Sequence, residues 1–105
     1  MVKKIKMNFK LDLTDMVKGT IYKSNGKIED KSFSKKNITL KEMQEVVGGY
    51  IEFLYLKDNL VMVVNEEGKI VGLPYNLNAT QLVQENNIQD IIVGDVLVIN
   101  RNLIQ

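Results

Sequence analysis

The sequence contains no cysteine and no histidine, the residues that supply many of the nucleophiles, general bases and metal ligands in proteins. Without cysteine, disulfides, thiolate metal sites and thiol nucleophiles are excluded. Without histidine, a Ser-His-Asp triad, a Cys-His pair and an ordinary zinc site are excluded as well. We therefore predict a protein that is not an enzyme, with no catalytic residue, no metal site and no cofactor.

Long apolar runs are also missing. No stretch of about 18 apolar residues occurs, so we predict no transmembrane helix and no membrane partner. The first residues, MVKKIKMNFKLDL, are basic but alternate in polarity, which is not the pattern of a secretory signal. Hydrophobic residues make up 45% of the 105 positions, too many for a disordered chain and enough for one modest core. These features together predict a compact cytoplasmic domain.

The net charge of +1 conceals two oppositely charged regions. Residues 1–38 contain ten lysines and four acidic residues, a balance of +6, whereas residues 39–105 contain four basic and nine acidic residues, a balance of −5. Such asymmetry indicates that the two regions present different surfaces. One interpretation is a basic surface for a partner. The other is that lysines keep an exposed sheet edge soluble.

The basic region is predicted to be β structure. Apolar and polar residues alternate strictly over residues 3–13, which is typical of a strand with one buried face. Two further strand patterns, GTIYK and KIEDKSF, flank Ser24-Asn25-Gly26, and Asn-Gly favours a two-residue turn in which both positions have positive φ. We therefore divide the chain into a basic β extension, residues 1–38, and an α+β region, residues 39–105, which together form one compact domain.

The second region begins with a helix. Thr39 at the N-cap and Glu42 three positions later make a capping box, and apolar spacing continues to Val47. Beyond this helix, two apolar strands, Tyr50–Leu56 and Leu60–Val64, are predicted, the second of them central in a sheet because it contains no polar residue.

The rest of the chain is predicted to complete the sheet. A tight turn at residues 66–69 would return the chain as a partner strand, Ile70–Leu73, in which Gly72 pairs with Val64. A second helix would be capped within Asn76–Asn78, where Asn78 and Gln81 fit a capping box, and would end at residues 86–87. Strand segments at 91–93 and 96–99 would follow it. The predicted fold class is α+β: a mainly antiparallel sheet with two short helices and an N-terminal basic β-hairpin extension.

Four blocks of the sequence resemble a small family of domains of unknown function found in bacteriophages, plasmids and other bacterial mobile elements. The blocks are VGGYIE, NEEGK, LPxN and DIIxG, within Met43–Glu52, Val63–Lys69, Gly72–Asn76 and Asp90–Gly94. The resemblance covers residues 39–100, and LPYN here stands where related sequences often have LPLNR. It implies a mobile-element protein that works in the cytoplasm of a bacterial host cell. Accessory proteins of this kind often act against host defence.

Two binding surfaces follow from these considerations. Lysines of the basic extension suit phosphates or an acidic partner, whereas the near absence of arginine argues against base-specific DNA reading. The partner-binding residues that we predict are Lys4, Lys6, Lys10, Lys23, Lys27 and Lys31. Asparagine and tyrosine side chains near the predicted 66–69 turn suit a nucleobase or ribose. The ligand-binding residues that we predict are Asn65, Glu66, Tyr75 and Asn76, although turn formation explains several of them equally well.

Three functional hypotheses remain. The first is an anti-CRISPR-like inhibitor that binds a host defence protein or nucleoprotein complex through the basic extension. The second is an oligomeric sponge that sequesters a nucleotide second messenger and would make the chain a homo-oligomer. The third is a phage or plasmid regulatory protein.

Overall fold

A computed structural model describes residues 16–33 and 36–104. Its elements are β1 (Val17–Tyr22), β2 (Ile28–Phe33), α1 (Leu40–Val47), β3 (Ile51–Tyr55), β4 (Leu60–Asn65), α2 (Gly68–Val71), α3 (Leu77–Glu85), β5 (Val96–Asn100) and a 3-10 turn (Arg101–Leu103). None of the described helices has both the length and the apolar character needed to cross a membrane. The strand predicted at residues 3–13 lies outside the described residues.

The five strands form one antiparallel sheet in the order β2-β1-β5-β4-β3. Strand β1 pairs with β2 on one side and with β5 on the other, so the hairpin is part of the sheet, with β2 at its edge. Strand β4 lies between β5 and β3, and its residues 61–64 are buried, as expected for an apolar strand with both faces covered. The predicted α+β class with a mainly antiparallel sheet is confirmed.

Helices cover the sheet on both sides because apolar side chains of the central strands alternate between its two faces. On one face, Val63 of β4 and Leu97 of β5 pack with Met43 and Val47 of α1. On the other face, Met62 and Val98 belong to a second core with Ala79 and Val83 of α3. The two cores hold β4 and β5 at the centre of a three-layer arrangement.

The capping box of α1 is confirmed. The Thr39 hydroxyl accepts a hydrogen bond from the Glu42 amide at 3.2 Å, and the Glu42 carboxylate accepts one from the Thr39 amide at 2.9 Å. Two amides that the helix start leaves unpaired are thereby satisfied locally, which is why sequence was sufficient to locate this helix.

The turn and strand predicted at residues 66–73 are wrong. Residues 68–71 form the short helix α2. Strand β4 pairs with β3 on one side and with β5 on the other, so neither side of β4 is open to residues 70–73. The apolar residues that indicated a strand face solvent: Ile70 is 85% exposed and Val71 is 63% exposed. Residues 96–99 of β5 are buried where this strand pairs with β4, so tertiary packing overrides the local β propensity of residues 70–73.

The second helix is confirmed as α3, and its N-cap lies within the predicted Asn76–Asn78. The N-cap is Asn76, whose side-chain oxygen accepts a hydrogen bond from the Ala79 amide at 3.0 Å, not Asn78. The helix ends at Glu85 with Asn86 as its C-cap, as expected. Of the two strand segments predicted beyond it, only the one in β5 forms a strand, whereas Val93 makes an isolated bridge with Tyr75.

The hairpin β1–β2 is confirmed, but its turn differs from the two-residue turn predicted at Asn25-Gly26. Only Gly26 has positive φ, at 95°, and the Lys23 amide bonds to the Lys27 carbonyl across a three-residue loop. The geometry with two successive positive φ angles occurs instead between β3 and β4, at Asp58 (60°) and Asn59 (61°).

Candidate functional site

A groove of about 370 Å³ lies beside the edge strand β3, on the sheet face that also carries α3. Its walls come from β3, the end of β4, the helix α2 and the segment before β5. The lining residues are Glu52, Leu54, Val64, Asn65, Glu66, Lys69, Ile70, Asp90, Ile91, Ile92 and Val93. The groove thus combines an apolar floor with charged groups at its rim, the usual composition of a binding site.

One ion pair spans the groove rim. The Lys69 ammonium of α2 contacts the Asp90 carboxylate, although 21 positions separate the two residues in the chain. The hydrogen bond from Lys69 lowers the pKa of Asp90 below its ordinary value of 3.8. Partial burial opposes this shift, and the Ile91 amide, which also bonds to the carboxylate, adds a lesser lowering of the pKa.

We expect Lys69→Met to raise the pKa of Asp90 back toward 3.8, because the larger of its two stabilising hydrogen bonds is removed. A carboxyl whose folded pKa is lowered adds stability above its unfolded pKa and loses it as pH falls through the folded value. Since both side chains are more than a third exposed, that contribution is under about 1 kcal/mol. Carboxyl titration by NMR measures the shift, and an unchanged Asp90 titration in Lys69→Met would contradict the pairing.

Two of the four predicted ligand residues line this groove. Asn65 ends β4, where its amide group donates to the Val47 carbonyl at 3.1 Å and its oxygen accepts from the Glu67 amide at 2.8 Å. The side chain therefore joins the end of α1 to the start of α2. Glu66 is exposed, and its backbone amide bonds to the Tyr50 carbonyl at 2.8 Å.

The other two lie elsewhere. Tyr75 is half-exposed and bridges Val93 through its backbone. Asn76 is fully buried, where its amide group donates to the carbonyls of Tyr22 and Gly94, each at 2.8 Å, while its oxygen caps α3. Because every polar atom of its side chain is engaged within the chain, Asn76 connects β1, the segment before β5 and α3. Asn65 and Glu66 therefore line the groove, whereas Tyr75 and Asn76 do not.

The predicted partner-binding lysines within the described residues belong to the hairpin. Lys23 forms an ion pair with Glu29 at 3.5 Å, and the Lys31 ammonium lies 5.4 Å from the ring centre of Phe33. Lys27 is exposed at the turn. The remaining three, Lys4, Lys6 and Lys10, lie outside the described residues.

Sequence reasoning did not find the contribution of Lys69 and Asp90 to the groove. Lys69 closes the block NEEGK and Asp90 opens the block DIIxG, but nothing in the sequence relates the two blocks. Only the fold brings α2 and the segment before β5 together. Within residues 16–33 and 36–104, no group of three or more acidic side chains is arranged to hold a metal ion.

A family model described as a domain of unknown function (DUF3846) matches residues 12–102. The match includes the hairpin as well as the region on which the sequence resemblance rests. No curated protein and no solved structure matches the chain. The occurrence of related sequences on mobile elements stays a prediction.

Proposed function

The chain belongs to the family described as a domain of unknown function (DUF3846), and we propose a role for it on the basis of its exposed surfaces and of the sequence resemblance. It is a non-catalytic mobile-element protein that antagonises a bacterial defence system by binding a defence protein or a nucleoprotein complex in the host cytoplasm. The absence of cysteine and histidine supports a binding role over a catalytic one.

The observation that carries the proposal is the exposed edge strand β2. Five of its six residues, Ile28–Ser32, are exposed, and on its outer side it pairs with no other strand of the described part of the chain. Lys27 and Lys31 flank the exposed carboxylates of Glu29 and Asp30 on this edge, and their two ammonium groups are where an acidic protein surface or a phosphate backbone can approach.

The hairpin is held firmly enough to act as a docking surface. The Ser24 amide donates to the Asp95 carboxylate at 2.9 Å, and the Asn78 side chain donates to the Gly26 carbonyl at 3.2 Å. These bonds tie the turn to the segment before β5 and to α3. A pre-ordered surface loses less conformational entropy on binding than a free hairpin would.

The choice among the three functional hypotheses rests on the sequence resemblance and on the predicted ligand residues rather than on β2. The resemblance to domains of bacteriophages and plasmids favours an anti-defence role, since such elements must survive in a defended host. The nucleotide sponge has less support, because the fully buried Asn76 and its engaged side chain stand apart from Asn65 and Glu66. No contact in the described residues favours the regulatory role.

The proposal predicts that the double substitution Lys27→Glu and Lys31→Glu abolishes protection without unfolding the chain. Both side chains are exposed, so reversing their charge removes attraction to an acidic partner and adds repulsion. The measurement is the plaque count of a targeted phage on CRISPR-immune cells that express the chain, together with the host proteins that co-purify with it.

The matched control is Lys41→Glu with Lys57→Glu, which makes the same change in charge at exposed positions of α1 and the β3–β4 turn. It should keep protection and the co-purifying partner. Substitution is preferable to deleting the hairpin, because β1 is an internal strand. Full protection by the hairpin variant would contradict docking through β2, and a native chain that protects no defended strain would contradict the anti-defence role.

A further inference from the structure

The second open edge of the sheet is β3, at the opposite side from the hairpin. It pairs with β4 on one side and with no other described strand on its outer side, so its outward backbone groups are available for pairing. Natural edge strands are usually protected by lysine, proline or a bulge. β2 has three charged residues among six, whereas β3 has the sequence IEFLY, with Glu52 its only charge.

The groove adjoins this edge on one face of the sheet. Glu52 and Leu54 lie on the same face of β3, and both line the groove. Exposed apolar surface surrounds them, because Ile70 of α2 and Ile91 are 85% and 55% exposed. A strand added along β3 would therefore direct alternate side chains onto Glu52 and into the apolar floor near Leu54.

The charge of the groove selects its occupant. Its rim carries the carboxylates of Glu52, Glu66 and Asp90 against the single ammonium of Lys69, which is already paired with Asp90. Among the described residues, neither Glu52 nor Glu66 has an ion-pair partner for its carboxylate. The surplus of negative charge attracts a basic side chain and repels an acidic one.

We propose that the β3 edge and its groove bind an extended, mainly apolar segment of a partner protein that carries one lysine or arginine opposite Glu52. The segment adds a sixth strand to the sheet by main-chain hydrogen bonding. Its apolar side chains contact Leu54 and Ile91, and its basic side chain pairs with Glu52. This site is distinct from the β2 surface and does not depend on the proposed anti-defence role.

The test uses two short peptides and the full-length chain. One peptide consists of threonine and valine with a single central lysine, and the matched peptide has glutamate in place of the lysine. In NMR titrations we expect the lysine peptide to shift the amide signals of Ile51–Tyr55 and to bind about 2- to 5-fold more tightly than the glutamate peptide, as for a cross-strand ion pair.

The decisive variant is Glu52→Lys. Glu52 is exposed, so the variant should fold, and it should prefer the glutamate peptide. Glu45→Lys, at an exposed position of α1, makes the same charge change away from the groove and should keep the original preference. A preference that Glu52→Lys does not invert would overturn the proposal. So would the absence of shifts in β3 with both peptides, or concentration-dependent dimerisation of the full chain through β3, which would identify a second copy as the occupant.

Discussion

Replacing Asn76 by alanine should destabilise the protein by about 3 kcal/mol. The substitution removes the N-cap of α3, which typically contributes about 1 kcal/mol. It also leaves the carbonyls of Tyr22 and Gly94 without the amide that now bonds to each at 2.8 Å, and a lost buried partner typically costs about 1–3 kcal/mol. Unfolding in urea, followed by circular dichroism, measures the change in the free energy of unfolding.

Two further variants separate the contributions. Asn78→Ala removes one exposed hydrogen bond, to the Gly26 carbonyl, and should cost less than about 1 kcal/mol. Asn76→Asp keeps an oxygen that can cap α3 but turns the donating amide into a carboxylate oxygen that faces two carbonyls. We expect it to be at least as destabilising at neutral pH as Asn76→Ala, because the second oxygen of the buried carboxylate then has no donor and faces two carbonyls. Near-native stability of Asn76→Asp would show that only the cap matters.

The second large effect is expected at Gly94, the residue that bends the chain before β5. Its φ is 75°, a left-handed conformation that costs a residue with a Cβ about 1–2 kcal/mol. A Cβ at this position would also lie 2.7 Å from Cδ1 of Leu73, which must then move. With a further overpacking cost of about 1 kcal/mol, Gly94→Ala should lose about 2–3 kcal/mol, measured by the same urea unfolding.

Gly72 provides a matched control for this prediction. Its φ is also 75°, but a Cβ there would meet no atom within 4 Å. Gly72→Ala should therefore show only the backbone cost of about 1–2 kcal/mol. In a Leu73→Ala background, the added cost of Gly94→Ala should fall to the same level, because the clashing methyl group is gone. Equal costs for the two glycines in the native background would exclude a role for Leu73.

Several parts of the fold follow from short-range patterns. The helix α1 is recognisable because Thr39 and Glu42 bond to each other's amides within one turn. The strand β4 is recognisable because five consecutive apolar residues begin at Leu60, and a strand buried on both faces needs no alternation. The Asn25-Gly26 pair locates the hairpin, although only Gly26 has the positive φ that the pair predicts for both residues.

Less of the candidate site than of the fold could be predicted from the sequence. Asn65 and Glu66 were identified from their chemistry, and both line the groove. Asn76 was identified on the same grounds, but its polar atoms are used inside the fold. The chemical type of a side chain is evident from sequence, whereas the partners that compete for it are set by residues far along the chain.

By itself, the sequence of this protein determined the fold class, the helix α1, the apolar strands β3, β4 and β5, the division of charge and the exclusion of histidine and cysteine chemistry. Only the tertiary structure decided that residues 68–71 form a helix, that Asn76 is buried, and that Lys69 meets Asp90 beside an open edge. The reason is physical. Capping and polarity alternation act between near neighbours, whereas the pairing of β5 with β4 is a competition between distant segments, decided by which of them buries more apolar surface.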